Sequence, residues 1–321
     1  MTRVAAIDCG TNTIRLLVAD LAPGRDGAPA LVPLARENEI VRLGQGVDRT
    51  GRLDDAALER TLAVVADYAA RVRELDVDRL RFVATSATRD AENRAVFVDG
   101  VRACLGIEPE VVSGDEEARL SFSGALSGAE GAPGATRLIV DLGGGSTELV
   151  LGVDAPAAAF SMDTGSVRVT ERYLAGGPTP AAEAAARAHV RALLDTAGEH
   201  VPLARATELL GLAGTITTVT AHALGLTDFD PQALDGARLS VEDTLASCEA
   251  VLHSTAAERE SWRYLRPGRR DVIAAGALVW SEVVARAVEQ TTAAGSPLTT
   301  TVTSLHDILD GIALSLAEPA R

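Results

Sequence analysis

Residues 4–18, VAAIDCGTNTIRLLV, and residues 138–152, LIVDLGGGSTELVLG, are built alike. Each runs an apolar strand into an aspartate, continues as Asp-x-Gly-x-x-Ser/Thr, and resumes an apolar strand. Glycine after the acid lets main-chain N–H groups approach an anion with no Cβ in the way. One such stretch alone serves as well for a hairpin turn. Two copies change the reading. Their aspartates, Asp8 and Asp141, lie 133 residues apart, too far for a solenoid or propeller period, and so predict equivalent hairpins in two similar domains. Two facing loops, each with an aspartate and a hydroxyl, make a clamp for phosphate and a divalent cation.

The length of 321 residues leaves room for two domains that each bury a core. Hydrophobic residues make up 47%, yet no apolar run approaches a membrane span, which predicts a soluble protein with no membrane partner. The N-terminus, MTRVAAIDCG, enters a strand almost at once and shows no secretion signal. Cys9, Cys104 and Cys248 are an odd, unpatterned set that suits a reducing cytoplasm. A net charge of −15 argues against nucleic acid as a partner, but a metal and a few arginines can still reverse the sign within one cleft. All 30 basic residues are arginine. Without lysine there is no Walker A loop, no protein-kinase strand lysine and no Schiff base. Cationic contacts to substrate must come from arginine forks or a metal. The same bias is what GC-rich coding of an alanine- and arginine-rich chain produces.

Strands are expected at 4–8, 14–20 and 31–43 as a meander, followed by a helix to about 75 capped by Asp54 or Asp55. A strand at LRFVAT, a helix closing at Gly106, a short strand at PEVVS and a helix over DEEARLSFSGAL complete the first half. The second half repeats the plan, with strands at 137–142, 147–153 and 157–162 and helices near 166–174 and 180–199. Then come strand ELLGL, a helix from Thr215, helices near 240–253 and 270–289, strand TTTVT and a last helix. Three strands followed by alternating helix and strand, twice over, define an α/β chain whose first strands are antiparallel. The segment 128–136, GAEGAPGAT, is the expected boundary.

Other stretches carry chemistry less clearly. In GLAGTITTV, Gly211 and Gly214 follow a strand and Thr215 opens a helix, which suits an anion site or a tight turn. SGDEEARL places three acids in one helical turn, a pattern the macrodipole favours without any function. ATSATRDAEN leaves a strand toward Arg89. The five histidines show no metal-ligand spacing and read as structural, as does the His306-Asp307 pair at a strand-to-helix junction. RPGRRD, 266–271, is a basic knot that starts a helix or guides an anion.

Taken in order, AIDCGTNTIRLLVAD, VRLGQGVDRTGRL, ATSATRDAEN, SGDEEARLSFSGA, VDLGGGSTELVLG and GLAGTITTVTA closely resemble the exopolyphosphatase and guanosine pentaphosphate phosphohydrolase family, over residues 4 to about 315. The resemblance implies two ribonuclease-H-like (actin-like ATPase) domains flanking a cleft. Domain I is then 1–128, with a C-terminal helix at about 304–321 packing back on it, and domain II is 129–303. It implies Glu117 as the base that activates water and Arg89 as the catalytic arginine, with Asp141 and Glu148 placing metal and water. Thr11, Asn12, Thr13 and Arg15 fall in the first phosphate loop, Gly143, Gly144, Gly145, Ser146 and Thr147 in the second, and Gly214 and Thr215 in the third. Mg²⁺ or Mn²⁺ is expected on Asp8 and Asp141. Thr11 and Thr13 stand where serines are common, and Asp235 where many relatives have histidine. The chain resembles the short form, without the helical domains that hold extended polymer. Relatives are often homodimers, and the sequence leaves assembly open. The implied activity is release of orthophosphate from the end of inorganic polyphosphate, with guanosine pentaphosphate as the alternative substrate. A kinase or ATPase would need an adenosine pocket, for which there is no signal, and a phosphate sensor would not need Glu117.

Overall fold

The computed structural model describes residues 2–24, 28–128 and 134–317. The chain divides into two compact units. One holds the residues up to Ser127 together with those from Asp307 onward; the other spans Gly128–His306. Part of the expected boundary, 129–133, lies outside the described residues.

In the first unit, β1 (Arg3–Cys9), β2 (Thr13–Pro23), β3 (Pro29–Ile40), β4 (Arg79–Ala84) and β5 (Glu110–Val111) form one sheet. Its order is β3-β2-β1-β4-β5, with the first three strands antiparallel and β1-β4-β5 parallel. Side chains alternate between the faces of a strand, and the core follows that period. Ala5, Ile7 and Cys9 of β1 with Ile14, Leu16 and Val18 of β2 pack against Leu58, Val65 and Tyr68 of helix Asp55–Glu74 and Phe97 and Val101 of helix Arg94–Leu105. The alternate residues Val4, Ala6, Leu17 and Ala19 pack against Leu120 of helix Gly114–Gly128 and Ile308, Leu309 and Ile312 of helix Ile308–Ser315. Proline is tolerated at 29 and 33 because β3 is an edge strand.

The second unit contains β6 (Arg137–Leu142), β7 (Thr147–Gly152), β8 (Pro156–Met162), β9 (Glu208–Leu212), β10 (Arg238–Ser240) and β11 (Thr300–Thr303). The order β10-β11-β9-β6-β7-β8 repeats the first sheet with one strand added, since β6, β7, β8, β9 and β11 stand where β1 to β5 stand. β6-β7-β8 are again antiparallel and β6-β9-β11 parallel. Leu138, Val140, Leu149 and Leu151 pack on Ala186, Val190 and Leu194 of helix Pro180–His200 and on Trp280 and Val284 of helix Ile273–Ala293.

Three expectations shift. β3 stops at Ile40, three residues early, because the N–H groups of Val41 and Arg42 turn away to the Asn12 carbonyl, at 3.1 and 3.0 Å. The helix expected at 166–174 is an α turn, Ser166–Val169, followed by a π turn, Thr170–Leu174. Residues 304–306, expected in the last helix, stay with the second sheet: Ser304 N–H donates to the Gly211 carbonyl at 3.0 Å, and Leu305 N–H to Asp235 Oδ1 at 2.8 Å. The last helix begins at Ile308, capped by Asp307. Among the described residues no helix is long and apolar enough to cross a membrane.

Candidate functional site

The two hairpins share a backbone device. Gly10 N–H donates to the Thr13 carbonyl at 2.9 Å, and Gly143 N–H to the Ser146 carbonyl at 3.0 Å. Other segments engage the carbonyls of Thr11, Asn12, Gly143, Gly144 and Gly145. Gly44 N–H reaches Thr11 and the Val41 and Arg42 N–H groups reach Asn12, while those of Ser166, Val167 and Arg168 reach Gly143 and Gly144. Arg168 Nε adds a bond to the Gly145 carbonyl at 2.9 Å. Among the described residues the N–H groups of Thr11, Asn12, Gly144, Gly145 and Ser146 donate to no backbone carbonyl. Carbonyls tied back and amides left over are the polarity an anion-binding loop requires. Gly165 supports the second loop by close approach, for a Cβ there would lie 2.6 Å from the Gly144 carbonyl.

Within the first unit, the β1–β2 register sets Asp8 opposite Arg15, on the face where Val4, Ala6, Leu17 and Ala19 point. Arg15 Nε and Nη2 donate to Asp8 Oδ2 at 2.9 and 2.6 Å, and Nη1 donates to Asp307. Arg15 is therefore held by two carboxylates. Burial pushes the Asp8 carboxyl above its ordinary range, against the opposing pull of Arg15. Burial, with Asp8 beside it, also pushes the Cys9 thiol up, so Cys9 is an inert core thiol. Thr11 shares a 2.9 Å hydrogen bond with Ser86, which ties the first loop to the start of the short helix Ser86–Asp90. That helix carries Arg89. Its Nη1 donates to the Val112 carbonyl at 3.0 Å and to Glu117 Oε2 at 3.1 Å. Glu117 is 7% exposed in the first turn of helix Gly114–Gly128, whereas neighbouring Asp115 is exposed and Glu116 bonds Arg81. The fold thus selects one acid of the three and sets it on the arginine.

Within the second unit, Asp141 lies opposite Glu148 across β6–β7. These positions correspond to Asp8 and Arg15 in the first hairpin, so a duplicated backbone carries an acid–base pair in one copy and two acids in the other. Both acids are buried, and Ser161 on β8 donates to Glu148 Oε1 at 2.7 Å. Thr147 is spent on structure, its hydroxyl donating to the Thr164 carbonyl at 2.7 Å. At the third loop, helix Ala213–Ala223 starts from Ala213 in a left-handed conformation, φ 71, a strained geometry for a residue with a Cβ. Gly214 follows because a side chain there would overlap the Arg269 guanidinium. The RPGRRD knot thereby sets Arg269 against the helix start. Gly276 gives Thr215 the same close approach.

The remaining polar candidates have structural partners. Asp307 caps the last helix, and His222 bonds Tyr264 at 3.1 Å. Among the described residues Glu183, Glu249 and His253 form one group able to hold a metal. Arg187 already stands between its carboxylates, 2.9 Å from Glu183 and 2.5 Å from Glu249. For a hard divalent cation the second unit offers the buried carboxylates of Asp141 and Glu148, while in the first unit the buried Asp8 already has Arg15 as counter-charge.

A sheet of this order, present twice with an Asp-Gly phosphate-type loop after the first strand of each, is the actin-like ATPase architecture. Residues 18–296 match the Ppx/GppA phosphatase family, and the chain belongs to that family. It is 46% identical to exopolyphosphatase 2 of Mycobacterium tuberculosis, over 99% of each chain. It is 28% identical to a bifunctional 3-dehydroquinate synthase/phosphatase of Fusobacterium nucleatum, over 87% of this chain and 43% of that one. A crystal structure of an exopolyphosphatase-like protein superposes with a TM-score of 0.93 at 44% identity, covering 98% of this chain and 97% of that one. The Aquifex aeolicus family member gives 0.77 at 26% identity, over 98% and 97%.

Proposed function

We propose that this chain is an exopolyphosphatase that hydrolyses the terminal phosphoanhydride of inorganic polyphosphate. Family membership and the 46% identity to a named exopolyphosphatase support the reaction class. The observation that carries the site is the pair of hairpins whose carbonyls are tied back while their amides remain available. Phosphoryl transfer asks little covalent work of a protein and much positioning and charge neutralisation. The loop amides take phosphate oxygens. Arg89, fixed by Val112 and Glu117, keeps its other donors for the departing phosphoryl group. Glu117 accepts a proton from the attacking water. Asp141 and Glu148 would hold Mg²⁺ or Mn²⁺, and a cation so bound would supply charge neutralisation. Three free thiols suit a cytoplasmic setting.

Replacing Glu117 by Gln removes the base and keeps the shape. Orthophosphate release from polyphosphate with Mg²⁺ is expected to fall by at least about 100-fold, with the melting temperature and substrate binding kept. A near-wild-type rate would move the base elsewhere, and a parent enzyme that releases phosphate from guanosine pentaphosphate but not from polyphosphate would overturn the substrate.

A further inference from the structure

The motif VRLGQGVDRTGRL, residues 41–53, enters the site above only through the backbone N–H groups of Val41, Arg42 and Gly44, which bond the first loop; its side chains have no role there. Gly46, φ 78, and Gly51, φ 67, sit in the left-handed region on either side of a single helical turn, Val47–Thr50, a conformation that suits glycine. The turn is anchored. Leu53 N–H donates to Asn93 Oδ1 at 2.8 Å, Asn93 Nδ2 returns a bond to the Leu53 carbonyl at 2.9 Å, and Glu92 N–H holds the Gly51 carbonyl at 2.9 Å.

This frame borders an open surface cavity of about 560 Å³ lined in part by Arg49, Arg52, Arg60, Asp54 and Asp55, within the size range of small-ligand sites. Its charges are not equivalent. Asp54 is engaged as a helix cap, accepting from Ala56 and Ala57, and Arg60 donates to the Val41 carbonyl at 3.2 and 3.1 Å. Asp55 is an exposed first-turn acid. The guanidinium groups of Arg49 and Arg52 make no hydrogen bond or ion pair among the described residues. In a chain of net charge −15, Arg49 on this turn and Arg52 just after it give the cavity two guanidinium groups able to take an anion. Gln45 and Gly46, on the cavity wall, follow Gly44, whose N–H donates to the Thr11 carbonyl at 2.8 Å. Cavity and first phosphate loop share one segment.

We infer that this cavity binds an oligophosphate anion through the guanidinium forks of Arg49 and Arg52. The inference rests on the proposed exopolyphosphatase activity for the choice of anion. Its source is the distal part of a bound polyphosphate chain or a separate oligophosphate.

The test combines Arg49→Gln with Arg52→Gln. Both side chains are exposed and unbonded, so the fold is kept, which thermal melting checks. In the Glu117→Gln background, where turnover is removed, calorimetry with tripolyphosphate is expected to show binding weakened about tenfold or one binding step lost. An isotherm identical to that of the parent overturns the inference. With Glu117 present, a raised KM for long polyphosphate identifies the substrate's own chain as the occupant, and an unchanged KM beside the calorimetric loss identifies a separate anion. Because binding is read without turnover, an inactive parent enzyme counts against the exopolyphosphatase reading and not against the cavity.

Discussion

Arg15 joins two carboxylates that the chain separates by almost its full length, and all three side chains are largely buried, at 16, 6 and 8% exposure for Arg15, Asp8 and Asp307. Removing one partner of such a group leaves uncompensated charge in a poorly solvated place. Arg15→Leu is expected to destabilise the protein by about 3 kcal/mol at pH 7, read by urea denaturation. The pH dependence has a definite sign. Asp8 has a raised carboxyl, so between its unfolded value and its folded one the native state binds the extra proton, and stability falls as pH rises through that window. Arg15 restrains this effect, and the deficit of the variant is therefore larger at pH 7 than at pH 4. Asp8 was legible in the sequence from its place in a repeated local motif. The tie of its partner Arg15 to Asp307 was not, because those two residues are 292 apart and only the packing of the last helix on β1 and β2 brings them together. Glu117 was one of three adjacent acids that spacing alone could not separate; burial and the Arg89 bond distinguish it.

Element ends are legible in the sequence where they carry local chemistry. Asp54 caps helix Asp55–Glu74, Thr179 caps helix Pro180–His200, and Gly106 closes helix Arg94–Leu105 in the left-handed region. β10 escaped because it is three residues long with one buried side chain, too short for a period of two to show. The most exacting contact between elements was equally silent. Where helices Gly114–Gly128 and Ile308–Ser315 meet, a Cβ on Gly124 would overlap the Asp307 carbonyl, and one on Gly311 the Leu120 carbonyl. Gly124→Ala forces the helices apart and is expected to destabilise by at least about 2 kcal/mol. Gly198→Ala, in helix Pro180–His200 with open space around it, is expected to stabilise slightly, by about 0.5–1 kcal/mol. Thermal melts of the two variants should move in opposite directions, and a shared direction would reject the packing argument.

At the scale of the molecule, the first unit is made of two separate pieces of chain. Its second piece supplies Ile308, Leu309, Ile312 and Ala313 to the core on one face of the first sheet, and Asp307 to Arg15. A chain ending at His306 is expected to lose hydrogen-exchange protection throughout β1 and β2 while the second unit, complete without that piece, keeps its protection in β6 and β7. Equal protection in both sheets would show the last helix to be dispensable. The duplicated strand order is legible in the residues because each half begins with the same hairpin, whereas the return of the C-terminus is expected from the family resemblance alone, since the few apolar residues at helical spacing that carry it are shared by any surface helix.

That return imposes a timetable on biosynthesis. As the ribosome delivers the chain, the β1–β2 hairpin and its sheet emerge before the second unit yet remain uncovered on one side until residues 308–313 follow, and the second unit can finish folding before the first is sealed. The part of the protein that is born first is completed last.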